Sequence, residues 1–78
     1  MEKLLIRLNS IGDVRAFVDT ASRFESAVIL SCGNFSVNGK SIMGIFGLDL
    51  KKTVTVTIDG NDSGDLAAAL SPFVSAQA

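Results

Sequence analysis

Seventy-eight residues allow one domain, 1–78, with a modest core. A chain of this length buries about 60% of its unfolded surface and is stable by only roughly 4–12 kcal/mol. Seven basic and eight acidic residues leave a net charge of −1, which supplies no field for nucleic acid or an anionic membrane surface. There is no histidine, so phosphohistidine chemistry, histidine general-base catalysis and His-ligated metal sites are all excluded.

The single cysteine, Cys32, rules out an intramolecular disulfide and fits a reducing cytoplasm. The N-terminus lacks the basic region, apolar core and cleavage site of a secretory signal. No apolar run approaches the ~20 residues that span a bilayer.

In chain order, Lys3 to Leu8 reads as a strand, with Leu4, Ile6 and Leu8 on one face and Lys3, Leu5 and Arg7 on the other. Ser10-Ile11-Gly12-Asp13 follows as a capping signal. Val14, Phe17, Val18, Ala21 and Phe24 then recur at helical spacing, which predicts an amphipathic helix over about 10–23. Ala27 to Cys32 is a strand, Gly33-Asn34 a turn and Phe35 to Val37 a short returning strand, together a hairpin.

Asn38 to Leu48 opens with turn formers and continues as a dense apolar run. Ser41 is placed to cap a short helix over 41–48, its hydroxyl accepting an N–H one turn on. Gly44 and Gly47 weaken that helix by about 1 kcal/mol each relative to alanine. Ile45 and Leu48 are the better core candidates. Ile42, Met43 and Phe46 can share another face, and their spacing alone leaves that face core or surface.

Asp49 to Lys52 is a polar connection. Thr53 to Ile58 alternates strictly, with Val54, Val56 and Ile58 inward, as in an antiparallel strand with one wet face. Asp59 to Asp62 is a turn. Asp62 or Ser63 caps a last helix with the stripe Leu66, Ala69, Leu70, Phe73 and Val74, in which Pro72 bends or frays the final turn. Ser75 to Ala78 is expected to be loose. Asp59, Asp62 and Asp65 do not fit a calcium loop, and the turn glycines occur singly, so neither a metal nor a phosphate-cradling loop is expected, and no cofactor.

The order β-α-β-β-α-β-α, with two amphipathic helices and strands wet on one face, indicates one sheet covered on one side, an α+β fold. The run Val37 to Leu48, around Lys40-Ser41-Ile42-Met43-Gly44, resembles the regulatory-serine segment of HPr, the small phosphocarrier of the bacterial sugar phosphotransferase system. The resemblance extends from about Phe17 to the C-terminus and is specific in the central segment. It implies the HPr-like open-faced β-sandwich, with a four-stranded antiparallel sheet, and a protein that is not an enzyme.

The carriers have a His-Ala-Arg-Pro-Ala type motif at the start of the first helix. Here Ser10-Ile11-Gly12-Asp13-Val14 lies nearest, with serine for histidine, glycine for arginine and aspartate for proline. A serine phosphoester is too stable to pass its phosphoryl group on, so Ser10 is read as a helix cap. The resemblance implies Ser41 as a serine modified by HPr kinase, where helix N–H groups and Lys40 favour a phosphate. It implies Lys40, Ile42, Met43 and Phe46 as a partner-docking surface.

The expected function is a regulatory, protein-interaction relative of HPr without carrier activity, similar to the HPr paralogue of catabolite repression. Implied partners are HPr kinase/phosphorylase, a catabolite-control transcription regulator or other phosphotransferase components. A working phosphocarrier in sugar transport is the alternative. A structural role, monomeric or weakly dimeric through open sheet edges, is the other.

Overall fold

The computed structural model describes residues 2–48 and 53–74. The expected polar connection over 49–52, with Lys51 and Lys52, and the tail 75–78 lie outside the described residues. Within them the elements are β1 (Glu2–Ile6), α1 (Ile11–Ser22), β2 (Ala27–Cys32), β3 (Phe35–Asn38), α2 (Ile42–Phe46), β4 (Val54–Asp59) and α3 (Ser63–Ala69), then a 3₁₀ turn (Ser71–Phe73).

The four strands form one antiparallel sheet in the order β1-β4-β2-β3. The register explains the alternation in the sequence. Leu4 faces Val56, Val56 faces Leu30 and Leu30 faces Val37, so one row of apolar residues crosses the whole sheet. The next row, Leu5, Thr55, Ser31 and Ser36, points the other way and is partly or fully exposed. Among the described residues, the helices cover the first face. Val14, Phe17, Val18 and Ala21 of α1 and Leu66 and Leu70 in and just after α3 pack there with Ile6, Val28, Val54 and Ile58 in one buried cluster. A one-residue slip in any strand would turn its apolar set to water, which is what fixes the register.

The β2–β3 hairpin closes through Gly33-Asn34, with Gly33 at φ +61°, a left-handed conformation that glycine adopts without steric cost. At the other end of β2, Asp62 closes the sheet. Its carboxylate accepts the N–H groups of Glu25 (2.9 Å) and Ser26 (3.0 Å) and the Ser26 hydroxyl. The Ser26 hydroxyl first, then the Glu25 N–H, holds the Asp62 carboxyl below its ordinary value. Asp62 does stand at the N-cap of α3, but its side chain makes no cap bond there, because the three donors of the α1–β2 turn take it instead. Gly60 sits against that turn, where a Cβ would lie 2.7 Å from Ser26 Cα.

Two expectations for the C-terminal helix are corrected. α3 ends at Ala69, and Pro72 lies in the 3₁₀ turn, since proline lacks the N–H that a continuing helix needs. Ala69 is exposed, being off the Leu66–Leu70 stripe, and Val74 lies beyond the turn in extended backbone, 39% exposed, bridging Ile6 at the edge of β1. Phe73 keeps its expected place: its ring meets that of Phe17 edge-on, with centroids 5.7 Å apart.

Candidate functional site

The segment from Asn38 to Leu48 is built by hydrogen bonds before it is built by packing. The Asn38 side chain accepts the Lys40 N–H (2.9 Å), and its carbonyl accepts the Ser41 N–H (3.1 Å), which makes a tight turn at the end of β3. Gly39 donates to the Val28 carbonyl at 2.7 Å and is buried. A Cβ at Gly39 would lie 3.0 Å from Val28 Cβ and closer still to Val28 Cγ1, so only glycine lets the chain pass there.

Ser41 follows in extended conformation and caps α2. Its Oγ accepts the Gly44 N–H at 3.2 Å, and its carbonyl accepts the Ile45 N–H at 3.1 Å. Gly44 lies against β3, where a Cβ would stand 3.3 Å from Val37 Cβ and 3.4 Å from the Ser41 hydroxyl. The missing side chain thus brings the short helix onto the sheet edge and leaves room for the serine oxygen. Ile45 and Leu48 are buried, as expected. The opposite face is open: Met43 is 81% exposed, Phe46 43% exposed and Ile42 half-buried against the core.

Lys40 is half-buried, and its ammonium donates to the Phe24 carbonyl at 2.7 Å, at the end of α1. Sequence reasoning missed this bond, because the partners are 16 positions apart and one of them is a backbone atom. It also missed the exposure of Ile11 (68%) and Phe35 (71%). Ile11 is in register with the stripe of α1 but sits at the start of the helix, and Phe35 opens the edge strand β3; periodicity carries no signal for either.

Ser10 is the N-cap of α1. Its Oγ accepts the Asp13 N–H at 3.1 Å, while the Asp13 carboxylate accepts the Asn9 N–H at 2.9 Å. The two bonds satisfy the Asp13 N–H at the helix start and the Asn9 N–H just before the cap, and set an anion against the helix's positive end. The hydroxyl of Ser10 is engaged as a cap, and no histidine stands anywhere in the chain.

Among the described residues, two of the shallow hollows lie elsewhere. One, lined by Glu25, Ser26, Gly60, Asn61 and Asp62, surrounds the carboxylate already spent on the α1–β2 turn. The other, beside β1 at Leu4, Leu5, Thr55 and Val74, is apolar. Among the described residues no group of three or more His, Cys, Asp or Glu side chains could hold a metal ion, and no helix is long and apolar enough to cross a membrane.

The structure thus sets a capping serine at the head of a short, half-exposed helix beside an open-faced sheet. The family model described as PTS HPr component phosphorylation site matches residues 14–76, and the chain belongs to the HPr family. The match begins after Ser10. The HPr-like protein Crh of Halalkalibacterium halodurans is 37% identical over 60 residues, which are 74% of this chain and 71% of that one. Among solved structures, HPr-C-His from Thermoanaerobacter tengcongensis superposes with a TM-score of 0.83 at 30% identity, covering 95% of this chain and 91% of that one. Crh of Bacillus subtilis, described as an intertwined dimer with a swapping domain, gives 0.70 at 32% identity over 86% and 79%. These relatives are phosphocarrier or regulatory proteins rather than enzymes, and the chain is of that kind.

Proposed function

We propose that this chain is a regulatory, protein-interaction member of the HPr family, a single domain over 1–78 in the cytoplasm, that has lost phosphohistidine transfer and is controlled at Ser41. The observation that carries the reading is a pairing of presence and absence. The chain contains no histidine to carry a labile phosphoryl group, yet it keeps a capping serine directly beside the exposed Met43 and Phe46.

The chemistry is a simple group transfer. HPr kinase moves the terminal phosphoryl group of a nucleoside triphosphate to Ser41 Oγ. The Oγ–P bond forms, the bond to the leaving nucleoside diphosphate breaks, and the serine proton passes to a base of the kinase. The product carries about −1.5 to −2 charge at the rim of an apolar patch, enough to change which surface can seat there. Ile42, Met43 and Phe46 supply the apolar contact, and Met43 adapts its flexible thioether to different partners. Lys40 belongs to the same segment. The partners that this surface suits are HPr kinase/phosphorylase, a catabolite-control transcription regulator and other phosphotransferase components.

Two donors offered in parallel test the reading. Nucleoside triphosphate with HPr kinase should give an acid-stable phosphate on the native chain and none on Ser41→Ala. Phosphoenolpyruvate with the first enzyme of the phosphotransferase system should give none. An acid-labile phosphoryl group from the second donor would make the chain a carrier and overturn the proposal.

A second reading, self-association, draws support from relatives solved as dimers, HPr of Thermoanaerobacter tengcongensis and Crh of Bacillus subtilis, and from the uncharged edge strand β3 with its exposed Phe35. Sedimentation over a concentration series decides it: a mass that stays at one chain at every concentration contradicts it.

A further inference from the structure

We propose that Lys40 is a positioning residue of the Ser41 site, and that its charge serves an internal strap rather than a contact with a partner. Its ammonium lies 2.7 Å from the Phe24 carbonyl, one residue beyond the Arg23 C-cap of α1. Phe24 lies just past the negative end of the helix dipole, and the last turn of α1 contains no basic residue before the Arg23 C-cap. Lys40, just past the end of β3 at the open end of the β2–β3 hairpin, supplies a cation there. A lysine ammonium is a compact point charge with three donors, and one of them is spent on the Phe24 carbonyl.

The other end of the strap is the Ser41 turn. Lys40 is gripped through its main chain by Asn38 Oδ1 and through its side chain by Phe24, and the next residue is the cap of α2. Asn38 is exposed and Lys40 and Ser41 are only half-buried, while Gly39 between them is buried and held on the Val28 carbonyl. Hydrogen bonds therefore do much to set where the Ser41 oxygen stands. Releasing the ammonium frees both the end of α1 and the turn that presents Ser41 to its kinase. The second consequence rests on the reading of Ser41 as the modified serine; the strap itself does not.

Amide hydrogen exchange on the free chain, measured by NMR for the native protein, Lys40→Met and Lys40→Arg, tests the strap without any kinase. Lys40→Met should speed exchange about tenfold at Gly44, whose N–H meets Ser41 Oγ, and at Phe24, while Val56 in the middle of the sheet keeps its native rate. Lys40→Arg, which keeps charge and donors, should restore both sites. Native rates at Gly44 and Phe24 in Lys40→Met overturn the proposal, and so does uniform acceleration through Val56. With HPr kinase, Lys40→Met should raise KM several-fold at unchanged kcat, with recovery in Lys40→Arg. A loss of kcat alone would contradict a positioning role. A native chain that the kinase leaves unmodified would contradict the Ser41 reading while the exchange result stands.

Discussion

Replacing Ser41 by alanine leaves the Gly44 N–H without its acceptor, at the head of a helix only five residues long. The loss of such a cap costs about 1 kcal/mol. Urea unfolding of Ser41→Ala should therefore show a small fall in midpoint with an unchanged slope, together with complete loss of modification. Gly39→Ala should cost more, about 1–3 kcal/mol by overpacking, because its Cβ would press on Val28 where the chain also donates to the Val28 carbonyl. A native midpoint for Gly39→Ala would contradict the close approach. The Ser41 cap was legible in the sequence, since a cap is a local relation between a side chain and a backbone group three residues on. The Lys40–Phe24 bond was not: no pattern of side chains marks a carbonyl that only the fold brings near.

Helix α2 buries one face and leaves the other in water. Ile45 is fully buried, so Ile45→Ala should cost about 2–5 kcal/mol through lost burial and a cavity. Met43, with four-fifths of its surface in water, should tolerate Met43→Ser within about 0.5 kcal/mol. If the open face is the docking surface, Met43→Ser should nonetheless weaken partner binding, read by titration against HPr kinase at constant fold. The strand assignments were legible because strict alternation in Val54 to Ile58 and the Leu4, Ile6 pattern match the pleat of a sheet wet on one side. The end of α3 was less so. Leu66 and Leu70 announce a stripe, but the sequence beyond Ala69 keeps apolar residues in a 3₁₀ turn and a bridge to Ile6, and apolar spacing does not distinguish these from one more helical turn.

Across the whole molecule, stability rests on the single covered face of the sheet. Phe17 is completely buried at its centre and meets Phe73 edge-on, so Phe17→Ala should remove about 3–5 kcal/mol, a large share of what so short a chain possesses. Asp62 ties the turn before β2 to the turn after β4, and its depressed pKa means that the folded state favours the carboxylate. Its contribution is therefore complete above the ordinary value of 3.8 and is lost as the pH falls through the lowered folded value. The Tm of Asp62→Asn should lie below that of the native chain at neutral pH, and the gap should close in acid. A gap that widens in acid would contradict the clasp. The family frame was legible from the central segment, whereas this clasp, between residues 36 and 37 positions apart, was not.

The central claim is that this HPr fold carries its control at Ser41 and no carrier chemistry. Intact mass followed by peptide mapping, after incubation with HPr kinase and ATP beside authentic HPr, tests it most directly. The account predicts one added phosphate, confined to the peptide that holds Ser41. An unmodified chain beside fully modified HPr, or a phosphate placed at Ser10 or another serine, would contradict it.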